Sequence, residues 1–133
     1  MARILVVDDE VDVVRMVVRT LEARGHTVEI ARDGETALAM IAAGVAKGAA
    51  PDLVVLDLNL PRLDGMEVCR QIKMNPATRS IQVVMMSAAY VSLIDAEIGT
   101  GLGADEFVMK PFVRETLIRN VERLLKLRPP AGA

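Results

Sequence analysis

Five short strand-like runs alternate with segments of helical periodicity, and this alternation restricts the fold more than any other feature of the chain. The runs lie at about residues 3–7, 27–31, 52–56, 82–86 and 106–109. Three are almost wholly apolar: Ile4-Leu5-Val6-Val7, Leu53-Val54-Val55-Leu56 and Val83-Val84-Met85-Met86. Such runs read as strands buried on both faces, the condition of a parallel sheet. Between them, Val14, Val17, Val18 and Leu21 recur at helical spacing over residues 11–23, and Gly25 stands where a C-cap glycine belongs. Asp33-Gly34 reads as a turn, after which Glu35 opens a second helix through Ala37, Leu38, Ile41 and Ala42, ending by Gly44 or Gly48. A third helix is expected over 66–74, closed by Asn75-Pro76, and a fifth over 113–126 on Leu117, Val121 and Leu124. The fourth, before the last strand, must tolerate Gly99, Gly101 and Gly103, each costing roughly 1 kcal/mol against Ala inside a helix. Strands and helices in strict alternation predict an α/β fold, a doubly wound five-stranded parallel sheet with five helices. Right-handed crossovers leave few topologies, and the flavodoxin-like strand order 2-1-3-4-5 fits.

In such a sheet all strands point one way, so their carboxyl ends share the edge where ligands bind. Asp8 and Asp9 follow the first strand and Asp57 the third, which sit side by side at the switch point in this order. Ser87 ends the fourth strand, and Lys110 the fifth. Three acids gathered there are costly, since two carboxylates ~4 Å apart repel by roughly 4 kcal/mol at an effective dielectric of 20. They call for a cation, or for a function that uses the charge. A hard divalent ion such as Mg2+ suits an all-oxygen set and is commonly shared with phosphate. His26 and Cys69 lie on other elements without ligand-like spacing, which excludes a soft-metal site. A carboxylate beside such a cation can attack phosphorus and become an aspartyl phosphate. An ammonium, a hydroxyl and loop amides could then neutralise the transferring oxygens.

Composition narrows the function further. The 133 residues suffice for one domain, and 52% of them are hydrophobic, enough for a core. Sixteen basic and 18 acidic residues, net −2, argue against direct nucleic-acid binding by this domain. No Trp, one Tyr and two Phe leave little for base stacking. A lone cysteine fits a reducing, cytoplasmic setting. The first residues lack signal-peptide form, and no run approaches the ~20 apolar residues that span a bilayer.

The chain resembles the receiver domain of bacterial two-component response regulators, including the chemotaxis regulators. The resemblance is carried by Ile-Leu-Val-Val-Asp8-Asp9-Glu10, Leu-Val-Val-Leu-Asp57-Leu-Asn59-Leu-Pro61, Leu63-Asp64-Gly65-Met66-Glu67, Met86-Ser87-Ala88, Gly103-Ala104-Asp105-Glu106-Phe107 and Lys110-Pro111-Phe112. These pieces cover about residues 2–126, in the family's order and near its spacings. The resemblance implies that Asp57 is the phosphoacceptor. It implies that Asp9 binds Mg2+ directly, Asp8 mainly through water, and Asn59 through its backbone carbonyl. Ser87 and Lys110 would each bond a phosphoryl oxygen, Phe107 would be the switch aromatic, and the Lys110–Pro111 bond would be cis. It implies a sensor histidine kinase or histidine phosphotransfer protein as donor. A face built from the fourth helix, fifth strand and fifth helix would contact a downstream protein, a fused output domain or a second copy in a homodimer. Residues 1–126 would form the receiver domain and 127–133 a tail or linker stub. Ser87 stands where Thr is commoner, and Phe107 where Tyr is frequent. Ala89 cannot position an attacking water.

Simpler roles compete. Asp8 and Asp9 could merely cap the first helix. Asp57 could be a strand-end turn residue, and Lys110 a surface lysine. Asp64-Gly65 reads as a plain turn, His26 as an exposed residue before the second strand, and Cys69 as a buried small hydrophobe. A phosphatase of the haloacid dehalogenase type would need a second Asp at position 59, where this chain has Asn. A flavin carrier would need a hydroxyl-rich phosphate loop where this chain has Asp8-Asp9-Glu10.

Overall fold

The structure, a computed structural model, describes residues 2–87, 103–110 and 113–127. Strands β1 (Arg3–Val7), β2 (Thr27–Ala31), β3 (Leu53–Asp57), β4 (Gln82–Ser87) and β5 (Glu106–Met109) form one parallel sheet in the order 2-1-3-4-5. The helices are α1 (Val11–Ala23), α2 (Gly34–Ala46), α3 (Gly65–Met74) and α4 (Arg114–Leu127). Helix α4 corresponds to the fifth helix expected from the sequence. The expected fourth helix, Ala89, the Lys110–Pro111 bond and residues 128–133 lie outside the described residues.

Strand alternation divides the core into two layers. Leu5, Val7, Val54, Leu56, Val83 and Met85 face α2 and α3, meeting Ala37, Ile41, Val68, Cys69 and Ile72. Ile4, Val6, Leu53, Val55, Val84 and Met86 face α1 and α4, meeting Val17, Leu21, Leu117 and Val121. Strands β1, β3 and β4 are therefore buried on both sides, which is why their sequences run apolar without alternating. At the edge, β2 exposes Thr27, Glu29 and Ile30, and its sequence is accordingly mixed.

Local chemistry sets the helix ends. Gly25, at φ 88°, closes α1 in a Schellman motif: its N–H donates to the Glu22 carbonyl and that of His26 to Leu21. Gly48, at φ 69°, does the same for α2, so that helix runs past Gly44. Asp33 is an N-cap rather than a turn residue, its Oδ1 accepting the Thr36 N–H at 2.7 Å. This holds its carboxyl below the ordinary carboxylate range. Asp64 likewise caps α3 through the Glu67 N–H at 2.9 Å.

His26 departs from its expected exposure. Its side chain is only 7% exposed, with Nδ1 accepting the Ala2 N–H at 3.4 Å. Its Nε2 lies 3.7 Å from Glu122 on α4, beyond hydrogen-bond reach. Glu122 is also held by Arg24 at 2.9 Å, which draws its carboxyl down in pKa. Burial of His26 depends on α4 arriving from 96 residues away, which no local signal reports.

Candidate functional site

Each site residue sits at or just past a strand end, and the hydrogen-bond ladder continues far enough to fix it. The Asp8 N–H donates to the Ala31 carbonyl at 3.1 Å, Leu58 N–H to Met86 at 2.7 Å, and Lys110 N–H to Ser87 at 2.5 Å. Asp57 is the last residue of β3, paired in register with Met86, and Ser87 ends β4 one position beyond. Asp8 is fully buried, Asp57 is 2% exposed and Ser87 3%.

Asp8, Asp9 and Asp57 each present a carboxylate oxygen within 4.8 Å of the others. Asp9 is exposed, so the cluster opens to solvent on that side. Simple N-capping does not account for these acids: the α1 N-cap residue is Glu10, whose own side chain makes no cap bond. Asp8 instead accepts the Glu10 N–H on Oδ1 at 2.9 Å, and Asp57 accepts the Asn59 N–H on Oδ1 at 3.1 Å.

One ammonium answers this charge. Lys110 Nζ donates to Asp8 Oδ2 at 2.8 Å and lies 3.4 Å from Asp57 Oδ2. It also donates to Glu10 Oε1 at 3.2 Å, a fourth acid at the rim. Its side chain is 11% exposed. Burial works against the lysine charge, but the bond to Asp8, the charges of Asp57 and Asp8 and the bond to Glu10 outweigh it, and its pKa rises. Asp57 moves the other way. Burial first and the Asp8 charge second push it up to about 6, against the Asn59 amide and Lys110. The oxygen-only donor set and its surplus of negative charge suit a hard divalent cation. Asp8, Asp9 and Asp57 are the residues that could hold one.

Gly65, expected as half of a turn, has a different function in the structure. It opens α3, and a Cβ there would lie 2.2 Å from the Asp57 carbonyl oxygen and 2.7 Å from Leu58 Cα. Only glycine lets α3 start directly against the end of β3. Gly34 lets α2 start against α3 and the preceding loop, where a Cβ would meet Val68 Cγ2 at 2.6 Å and the Leu63 carbonyl oxygen at 2.8 Å. The loop after Asp57 is thus clamped between two helix starts, and within it Arg62 takes a positive φ of 63° and pairs with Asp33 at 3.3 Å. Glu10, Gly34 and Gly65 were not legible as site-forming residues, because their contacts are made across elements. The Asp33 and Asp64 caps carried a local signal, an acid three residues before the amide it receives.

Phe107 is half-buried on the α2–α3 side of the sheet and packs against that core layer. Asn59 is exposed. Among the described residues no helix is long and apolar enough to cross a membrane.

A parallel 2-1-3-4-5 sheet with an acid cluster at its switch point is the frame of a receiver, and the match to known proteins agrees. The chain belongs to the response regulator receiver domain family, which matches residues 4–122. It is 40% identical over 131 residues to the response regulator MprA of Mycobacterium tuberculosis (strain ATCC 25618 / H37Rv), covering 98% of this chain and 54% of that protein. The chain thus spans about half the length of the curated relatives it matches. Among solved structures it is similar to the chemotaxis response regulator CheY4 of Vibrio cholerae, with a TM-score of 0.82 and 32% identity over 93% of this chain and 98% of that one. NtrX from Brucella abortus gives a TM-score of 0.82 at 38% identity over 95% of this chain and 27% of that one. This is a signalling domain of two-component systems.

Proposed function

We propose that the chain is a Mg2+-dependent phosphoacceptor switch, with Asp57 as the residue modified. The observation that carries the reading is the strand-end carboxylate of Asp57, 2% exposed, with Lys110 Nζ 3.4 Å away and two further acids within 4.8 Å. Asp8, Asp9, Asp57 and the Asn59 backbone carbonyl would hold Mg2+. When bound, the ion would neutralise charge on the transferring oxygens.

The chain's own groups supply the rest. A carboxylate oxygen of Asp57 attacks phosphorus as the nitrogen–phosphorus bond of a phosphohistidine breaks and its electron pair returns to the imidazole. A histidine kinase or a histidine phosphotransfer protein supplies that phosphohistidine. The Asn59 amide orients the Asp57 carboxylate, and Lys110 meets charge on the phosphoryl oxygens. The Ser87 hydroxyl, at the end of the next strand, donates to another. Water later cleaves the acyl phosphate, so the domain resets itself.

The phosphoryl group replaces the single charge of the Asp57 carboxylate with about −1.5 to −2 on phosphate oxygens that reach further from the strand end. Ser87 and Lys110 are drawn toward it, and Phe107 follows inward as the switch aromatic. The face of β5, α4 and the segment before β5 then changes population and with it the affinity for a downstream protein, an output domain or a second copy. Residues 1–126 would serve as this unit and 127–133 as a tail or linker stub, and the domain would operate in the cytoplasm.

Incubation with Mg2+ and acetyl phosphate tests the assignment. Intact-mass measurement should show one acid-stable, base-labile phosphoryl group on wild type and none on Asp57→Asn. Equal incorporation in the two would move the acceptor elsewhere.

A further inference from the structure

Lys110 has three N–H donors, and each faces a carboxylate: Asp8 at 2.8 Å, Glu10 at 3.2 Å and Asp57 at 3.4 Å. Two of these acids have further work if the site is phosphorylated, as cation ligand and as acceptor. Glu10 has none. Its side chain does not cap α1, and Lys110 is its one ion-pair partner among the described residues. Its backbone is fixed by the N–H bond to Asp8, so only the side chain can swing, and that side chain is 58% exposed.

We infer that Glu10 is a positioning residue acting through Lys110: its carboxylate competes with the phosphoryl group for the ammonium and holds the lysine in its resting place. The inference rests on the reading of Asp57 as phosphoacceptor. For Lys110 to give a donor to a phosphoryl oxygen it must release one of its present partners. Asp8 is fully buried and a cation ligand, so losing its lysine is expensive. Glu10 lies at the solvent rim and can exchange Lys110 for water at little cost. It is the partner that lets go. Until it does, it keeps the ammonium on the Asp8 side of the cluster and adds negative charge where negative charge has to arrive.

Two variants separate contact from charge. Glu10→Gln removes the charge, and Glu10→Asp keeps it but draws the carboxylate back by one methylene. Binding of beryllofluoride, a phosphoryl mimic, is measured by 19F NMR with saturating Mg2+ at low ionic strength. Competition for Lys110 predicts that both variants bind about threefold or more tightly than wild type. If Glu10→Asp matches wild type while Glu10→Gln binds more tightly, only bulk repulsion is at work and the inference is overturned. It is equally overturned if both variants match wild type or bind more weakly. Asp57→Asn should bind none. If wild type itself binds no beryllofluoride, the phosphoacceptor reading fails, and this inference falls with it.

Discussion

Two lysines of similar burial serve opposite ends of the same sheet. Lys110, 11% exposed, stands at the carboxyl edge, and Lys73, 15% exposed, at the amino edge. Lys73 is balanced. Its Nζ pairs with Asp105 Oδ2 at 2.9 Å and donates to the carbonyls of Ile81 at 2.6 Å and Arg79 at 3.3 Å. Asp105 Oδ2 also accepts the Val83 N–H at 2.8 Å. Charge is matched one to one, every donor has an acceptor, and the result ties the end of α3 to β4 and the segment entering β5. Lys110 is outnumbered by Asp8, Glu10 and Asp57, with Asp9 exposed beside them. A buried ammonium can therefore be either a rivet or part of an acid-rich site, and the charge of its three acceptors, not their number, separates the two. Burial does not.

The contrast can be broken in order of expected effect. Adding Mg2+ should complete the carboxyl edge and leave the amino edge untouched. At a hundredfold excess over its dissociation constant, one bound ion adds about 2.7 kcal/mol. Wild type should therefore melt several degrees higher with Mg2+ than with chelator, whereas Asp57→Asn should respond much less. A melting temperature indifferent to millimolar Mg2+ would mean that the acid cluster is not a cation site.

Lys73→Met should cost about 2 kcal/mol in urea unfolding, because it strands the Asp105 carboxylate and two carbonyls. Its Mg2+ response should match wild type, measured by the same melts. A variant that lost both stability and metal response would show that the two edges are coupled.

Asp57→Asn should act in the opposite direction without metal, stabilising the fold by about 1 kcal/mol at neutral pH. The sign follows from proton linkage. Asp57 is held up to about 6 in the folded chain, above its unfolded value, so the folded state binds the proton more tightly. Metal-free stability should fall as pH rises from about 4 through about 6, with the full penalty present above that range. The advantage of Asp57→Asn should appear over the same interval and vanish at its acid end, read from urea midpoints at a series of pH values. An advantage independent of pH would assign the penalty to something other than the buried charge.

Hydrophobic patterning alone located most of the architecture. The β1, β2 and β5 ranges agree with the sequence reading, and the ends of β3 and β4 differ by one residue. That single residue makes Asp57 the last member of its strand rather than the first of a loop. The ladder bond from Leu58 N–H to the Met86 carbonyl lies just beyond it. The Asp33-Gly34 and Asp64-Gly65 pairs look like turns in the sequence although each Asp is a helix cap, since an Asp-Gly pair serves either purpose until the chain beyond it commits to a direction. Gly25 is legible as a cap because a C-terminal Schellman motif is local, closed within six residues.

What the sequence determined by itself was the order of elements, the parallel sheet and the placing of Asp8, Asp9, Asp57, Ser87 and Lys110 at one edge. Each follows from periodicity and from which residue ends an apolar run. Only the tertiary structure decided how charge is shared there: that Lys110 reaches Asp8 first, that Glu10 joins it, and that Gly65 brings α3 against Asp57. The reason is physical. Residues 102 positions apart meet at 2.8 Å only after five strands have stacked in register. The energy of a buried charge depends on those distances, not on the spacing that produced them.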